Sequence, residues 1–340
     1  MFKKLIPYIC KPVLALIIAA SSFAAQAQEE QNFLLATAST GGTYYPVGVA
    51  LATLTKVKLQ PKEKIGMSAI NSAGSGENIK LLRENEAQFA ILQGLYGHYA
   101  MTGSGPLEAD GPQQELRSVS MLWQNVEQFV VKKEHAKTGN VDDLLEMKGM
   151  AMALGKKNSG TIGSNEALLS GLGLDINTDF ELFYGGYGPS ADALQNGQVE
   201  GMNTVAGVPT GSVTKAYAAM GDDITMLEVT DEQIAKLDGG KGLWTRYVIE
   251  PDSYPGQSNA INTIAQPNFL AVRSDVPEDT VYKITKTIFE NLPFLQAIHK
   301  ATNAMSAEKA LVGLPVPLHP GAAKYFQEAG IQIPDNLLAQ

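Results

Sequence analysis

From residue 33 onward, short apolar runs alternate with amphipathic stretches. Phe33 to Ala38 reads as a strand, followed by a Gly-Gly turn and a helix carrying Val47, Leu51 and Leu54 at i, i+4, i+7 spacing. Ile65–Ile70 reads as a second strand, Ser75–Asn85 as a helix with Ile79 and Leu82 inward, and Phe89–Leu92 as a third strand. The pattern then restarts. Phe129–Val131, Met150–Leu154, Leu182–Tyr184 and Val199–Val205 read as strands. Between them lie helices over Val141–Met147, Thr161–Leu169 and Ser190–Asn196, stopped by Gly149, Gly171 and Gly197. Strand and helix alternating through short turns predict α/β lobes, each a mostly parallel sheet flanked by helices. No Pro- or Ser-rich linker separates the two units, so the lobes are expected to share crossing hinge strands near Val119–Val130 and Phe269–Val272. Helices near Thr280–Leu292 and Ala322–Ala329 are expected to pack back over the first lobe.

The first 27 residues break this pattern. Lys3, Lys4 and Lys11 precede or flank an apolar run, Val13 to Ala20, and Ala25-Gln26-Ala27 offers small residues at the positions a signal peptidase reads. The run is about half the length of a membrane-spanning helix. Residues 1–27 are therefore read as a cleaved signal peptide, and the protein as periplasmic or secreted. Cleavage removes three lysines, no acid and Cys10, the single cysteine, so the formal charge moves from −9 to −12. A cysteine-free mature chain is indifferent to an oxidising compartment. No later run is long enough to span a bilayer, so the mature protein is not expected to be membrane-embedded. The acidic balance excludes nucleic acid as a partner, because binding it requires a basic footprint. Lobe I is expected to comprise residues 28–124 and 231–340, and lobe II residues 125–230.

In open α/β sheets, ligands sit beyond the carboxyl ends of the strands. Here those ends read Ser39-Thr40-Gly41-Gly42-Thr43-Tyr44-Tyr45, Asn71-Ser72-Ala73-Gly74-Ser75-Gly76 and Gln93-Gly94 in the first unit. In the second they read Asn158-Ser159-Gly160-Thr161, Gly185-Gly186-Tyr187-Gly188-Pro189-Ser190 and Ala206-Gly207-Val208-Pro209. Nearly all are glycines or small neutral hydrogen-bonding residues. Helix N-termini carry roughly half a positive charge, and glycine lets a ligand approach the backbone, so such loops can hold a carboxylate without an arginine. Ser, Thr and Asn also cap ordinary helices, so a single loop of this kind says little. Several of the same character in two lobes say more. Tyr45 and Tyr187 fit either packing or ligand contact, and Trp123 either hinge packing or site lining. Lys156 and Lys157 precede a candidate loop and fit either a ligand cation or a surface pair.

Catalytic machinery is missing from the sequence. There is no Gly-x-Ser-x-Gly elbow and no phosphate loop, and the Gly-x-Gly pairs at Gly103/Gly105 and Gly171/Gly173 lack a third glycine. His98, His135, His299 and His319 are widely spaced, so neither a metal nor a cofactor is expected. The adjacent pairs Asp142/Asp143 and Asp222/Asp223 read as solvated caps.

The run Ser39-Thr40-Gly41-Gly42-Thr43-Tyr44-Tyr45-Pro46-Val47-Gly48 resembles the N-terminal motif of the TAXI family. These are the solute-binding proteins of tripartite ATP-independent periplasmic (TRAP) transporters. Ser72–Asn78, Ser159-Gly160-Thr161, Ala191-Asp192-Ala193-Leu194 with Gly197, Gly207-Val208-Pro209, Tyr254-Pro255-Gly256 and Gly313–Ala322 agree in order and spacing. The resemblance implies a two-lobed periplasmic-binding-protein fold of the type II kind. The protein would close on glutamate or a related amino or 2-oxo dicarboxylic acid and deliver it to an integral-membrane TRAP permease. It implies no enzyme activity, and a monomer is expected. Carried over by position, the ligand-binding set is Thr40, Gly42, Tyr45, Ser72, Ser75 and Gln93 from lobe I, with Ser159, Gly160, Thr161, Ala206, Gly207 and Val208 from lobe II. Two other readings stay open: a protein that feeds a sensor kinase, and an extracytoplasmic hydrolase or transferase on a similar scaffold.

Overall fold

The computed structural model describes residues 29–338; the segment read as a signal peptide lies outside them. The chain begins with β1 (Gln31–Ala36), α1 (Tyr44–Glu63), β2 (Ile65–Ile70), α2 (Ser75–Arg83), β3 (Phe89–Gln93) and α3 (Gly94–Thr102). The long strand β4 (Leu116–Val126) then leads through Glu127 and Gln128 into β5 (Phe129–Lys132). Next come β6 (Ala151–Ala153), α4 (Gly160–Gly171), α5 (Ile176–Asp179), β7 (Glu181–Leu182), α6 (Tyr187–Gln195), β8 (Gly201–Asn203), α7 (Gly211–Met220) and β9 (Ile224–Met226). The remainder is α8 (Asp231–Asp238), β10 (Thr245–Ile249), β11 (Ile261–Arg273), α9 (Glu278–Glu290), α10 (Leu292–Ile298) and α11 (Pro320–Glu328).

Two sheets result. The first runs β10-β11-β3-β1-β2, with β4 also paired to β11, and the second runs β7-β6-β8-β5-β9. β1 is parallel to β2 in unbroken register from Gln31↔Ile65 to Ala36↔Ile70, and β3 lies parallel on its other side. In the second sheet β6 is parallel to β7 and β8. Each sheet is mixed, because the strands that connect the lobes add antiparallel pairs: β11 on β3, β10 and β4, and β5 on β8 and β9. The two-lobed α/β architecture with crossing strands is thus present. The parallel halves come from the strand–helix–strand units that the alternating pattern announces.

β4 and β11 form the hinge, paired antiparallel from Arg273↔Leu116 to Ala265↔Val126. Both change core at matching positions. Trp123, Met121 and Phe269 belong to the first core, whereas Val126 and Ala265 belong to a core of the second lobe. Helices α9 and α11 return to the first core through Val281, Ile284, Ala322 and Phe326, and α11 packs on α9.

The stretch after residue 230 goes elsewhere than expected. Helix α8 packs on α4. Leu237 and Trp244 join Leu168 and Leu169 in a second-lobe core, and Ile249, Tyr254 and Ile261 join the other. The side chains of this segment therefore pack mostly into the second-lobe cores, while β10 itself is the edge strand of the first sheet, paired to β11. Gly171 shows how tight the α4–α8 contact is: a Cβ there would sit 2.2 Å from the Lys236 carbonyl oxygen. Backbone cannot give way as a flexible side chain can. Gly171→Ala is expected to destabilise the protein by about 1–3 kcal/mol, the usual range for overpacking, read as a fall in denaturation midpoint. An unchanged midpoint would mean that α8 does not pack there.

Candidate functional site

A cavity lies between the lobes, with about 480 Å³ of atom-free space, part of it open to solvent; a wider cleft lined by Gly76, Glu77, Lys80, Lys157, Asn158 and Tyr184 also spans them. The walls of the first come from the carboxyl-end loops of both sheets, as the topology requires. The segments after β1, β2 and β3 supply Ser39, Gly42, Thr43, Gly74, Ser75 and the end residue Gln93. Those after β6, β7 and β8 supply Ser159, Gly160, Thr161, Gly185, Gly186, Tyr187, Val205 and Ala206.

Four helices start at this cavity, two from each lobe. The residues preceding α1, α2, α4 and α6 are Thr43, Gly74, Ser159 and Gly186, and all four line it. A helix leaves its first N–H groups without partners inside the helix, and a capping side chain usually takes one. Only Ser159 does so, its Oγ accepting from Ile162 N at 3.1 Å; Thr43, Gly74 and Gly186 make no side-chain cap. Four helix starts, three without a side-chain cap, thus bring their dipole charge to one space, with the Glu77 N–H of α2 already taken by Asn158 O. Among the described residues the lining contains no carboxylate, and Lys156 is its one charged side chain, exposed at the rim.

The aromatic hydroxyls are already engaged. Tyr44 donates to Asn268 Oδ1. Tyr187 donates to the Val205 carbonyl at 2.7 Å, so Thr161, 2.6 Å away, donates to Tyr187. Burial pushes the pKa of both phenols well above the ordinary tyrosine value and keeps them neutral.

The lobes touch directly around the cavity. Gln93 Nε2 donates to Gly160 O at 2.8 Å, Thr43 Oγ1 to Gly207 O at 3.1 Å, Tyr96 OH to Ser159 O at 3.2 Å and Glu77 N to Asn158 O at 3.0 Å. These bonds hold the two lobes against each other.

A profile of the NMT1-like family matches residues 35–330. The chain belongs to that family. Its fold is that of periplasmic solute-binding proteins. MatC from Rhodopseudomonas palustris, solved with bound malate, is 15% identical with a TM-score of 0.53, covering 88% of this chain and 96% of that one. A protein from Bordetella bronchiseptica RB50 is 14% identical with a TM-score of 0.52, covering 92% and 86%. The periplasmic binding protein BugD is 15% identical with a TM-score of 0.51, covering 89% and 98%.

In this NMT1-like protein, seven of the twelve residues expected to bind ligand line the cavity: Gly42, Ser75, Gln93, Ser159, Gly160, Thr161 and Ala206. Five lie off it. Thr40 is an exposed turn residue. Tyr45 is replaced in the lining by Tyr44, because one residue along a helix is a rotation of about 100°. Ser72 is buried behind its loop, bonded to Thr37 O, Asn78 Oδ1 and Gly74 N. Gly207 and Val208 lie just past the lining residue Ala206, and Gly207 O receives Thr43 Oγ1 and Thr210 Oγ1. Trp123 packs at the hinge, edge-on to Tyr44 with ring centroids 5.9 Å apart, and is not a lining residue. Asn125 is the lining residue with no loop motif to announce it; its signal was a polar amide inside an apolar crossing strand.

Outside the cavity, Glu134, His135 and Glu200 lie close enough together to hold a metal ion, but Glu200 is already paired with Lys132 at 2.8 Å and His135 at 2.9 Å. Beside the hinge, Glu127 is fully buried, accepting from Asn203 Nδ2 at 2.9 Å and Trp244 Nε1 at 3.1 Å. Desolvation pushes its pKa up to about 7, against the opposing pull of those donors. The folded state therefore binds this proton more tightly than the unfolded chain does. The associated stability is complete below about pH 4.5 and lost as pH rises through about 7. Chemical denaturation between pH 5 and pH 8 is expected to show Glu127 contributing a loss on the order of 3 kcal/mol. That part of the slope is expected to vanish in Glu127→Gln, and a variant with the wild-type slope would refute the assignment.

Proposed function

We propose that this NMT1-like protein is a periplasmic solute receptor that captures a small carboxylate between two hinged lobes and hands it to a membrane permease. The observation that carries this reading is the convergence of four helix N-termini, three without side-chain caps, on a cavity whose described lining has no carboxylate. A carboxylate accepts from several such N–H groups at once, each charge-assisted bond contributing about 1.5–3 kcal/mol. Four or five of these reach the roughly 8 kcal/mol of a micromolar complex after ordering costs. Lys156 at the rim adds a cation that the neutral loops do not supply.

The finer assignment follows the sequence motifs: a TAXI-type receptor of a TRAP transporter, with glutamate or a related amino or oxo dicarboxylic acid as solute. The malate bound by the similarly folded MatC is an acid of the same class. Export through the N-terminal segment and work as a monomer belong to the same reading. No helix among the described residues is long and apolar enough to cross a membrane, consistent with a receptor that meets its permease from outside.

Closure needs glycine at the seam. A Cβ on Gly160 would lie 2.7 Å from Gln93 Oε1 and 2.9 Å from Ser75 Oγ; one on Gly76 would lie 2.6 Å from Asn158 O. Calorimetric titration against a broad organic-acid panel is expected to give at least one micromolar carboxylate. Gly160→Val and Gly76→Val are each expected to weaken it at least ten-fold while keeping the thermal midpoint within a few degrees. If no acid on the panel binds or shifts that midpoint, the carboxylate reading fails. Unaltered affinity in both variants would move the site away from this seam.

A further inference from the structure

The Gly160 carbonyl oxygen can only accept a hydrogen bond. The Gln93 amide atom 2.8 Å from it is therefore the nitrogen, Nε2, which also lies 3.3 Å from Ser164 Oγ. That turns Gln93 Oε1 towards Asn125, 3.2 Å away, and an amide oxygen there must be met by the Asn125 nitrogen, Nδ2. One backbone carbonyl thus fixes the orientation of two amides. What remains is Asn125 Oδ1, an acceptor on a residue only 1% exposed that lines the cavity, with no partner among the described residues. A buried acceptor left unmet costs about 1–3 kcal/mol. A solute that brings a donor to it removes that cost, and one that brings a second oxygen does not.

Charge on the same side points the same way. The buried Glu127 lies two residues from Asn125, held by Asn203 and Trp244 and with no cation paired to it among the described residues. Burial chiefly, and with it the Glu127 carboxyl when ionised, pushes up the pKa of Tyr187, a lining residue. The site thus has a positive end at the helix starts and Lys156, and an uncharged, unpaired amide acceptor at Asn125.

We propose that the cavity selects carboxylates bearing a hydrogen-bond donor, an ammonium or a hydroxyl group, over 2-oxo acids of the same skeleton, with Asn125 Oδ1 as the acceptor that reads the donor. The proposal rests on the carboxylate reading above and narrows it. Calorimetric titration with two matched sets tests it: L-glutamate, 2-hydroxyglutarate and 2-oxoglutarate, then L-aspartate, L-malate and oxaloacetate. In any set that binds, an amino or hydroxy member is expected to bind at least about ten-fold tighter than the oxo acid, a ratio equal to about 1.4 kcal/mol. In Asn125→Ala that ratio is expected to fall towards one. An oxo acid that binds the wild-type protein as tightly as its amino and hydroxy partners overturns the proposal and leaves the carboxylate reading standing. A preference that survives in Asn125→Ala overturns the role of Asn125. Should that variant fail to fold, the wild-type ratio decides alone. If no member of either set binds and the broad panel is also silent, both readings fall.

Discussion

A helix cannot satisfy its own first N–H groups, and that constraint organises this molecule. In the interior of a sheet-and-helix lobe those donors would be capped by side chains. Here Thr43, Gly74 and Gly186 supply no side-chain cap, and the starts of α1, α2, α4 and α6 all border one cavity. Such an arrangement is costly while empty and favourable when filled by an acceptor. Neither lobe supplies the full set of donors. Under the proposed receptor reading, a ligand that completes the donors of one half would draw in the other.

The second constraint is the amide-rich contact between the two lobes. Gln93, Asn125, Ser164 and Gln266 form a connected buried group at the junction of the lobes, with Gln93 Nε2 and Gln266 Nε2 both on Ser164 Oγ, and Leu95 N on Gln266 Oε1. Neutral amides tolerate burial when paired. They carry no net charge to repel the carboxylate proposed above. Glu127 is the exception in this neighbourhood, a carboxyl kept out of water and held by donors rather than by a cation.

Much of this was legible before any coordinates. Ile65–Ile70 is a strand with the predicted limits, and Ser75, Phe89, Phe129 and Val141 each start the predicted element. The apolar period is strongest where a strand or helix has one buried face. Elements without that contrast leave little signal: α3 follows β3 with no intervening turn and opens with Gly94-Leu95-Tyr96-Gly97, α8 has only Ile234, Ala235 and Leu237 as apolar residues, and β10 is five residues long with no strict alternation. The lobe to which residues 231–249 belong could not be read from sequence, because it depends on a contact between α8 and α4, about sixty residues apart. In the site, Gly-rich loops announced the walls well. Choosing Tyr45 rather than Tyr44 required knowing where α1 begins, and Asn125 required knowing that β4 passes beneath the cavity.

The hinge has one more consequence. The second lobe enters through Val126 and leaves through Ala265, and these two residues are direct partners on adjacent strands. The intervening chain, with its own two cores, is therefore an insertion whose ends already meet, carried on a first lobe that owns both β1 and α11. A unit joined at two touching points can be exchanged for that of a relative with only β10, the edge strand of the first sheet, travelling along with it. Half of the cavity wall travels with it, so chimaeras cut at this pair would recombine recognition surfaces while leaving the outer frame, and whatever docks on it, as it was.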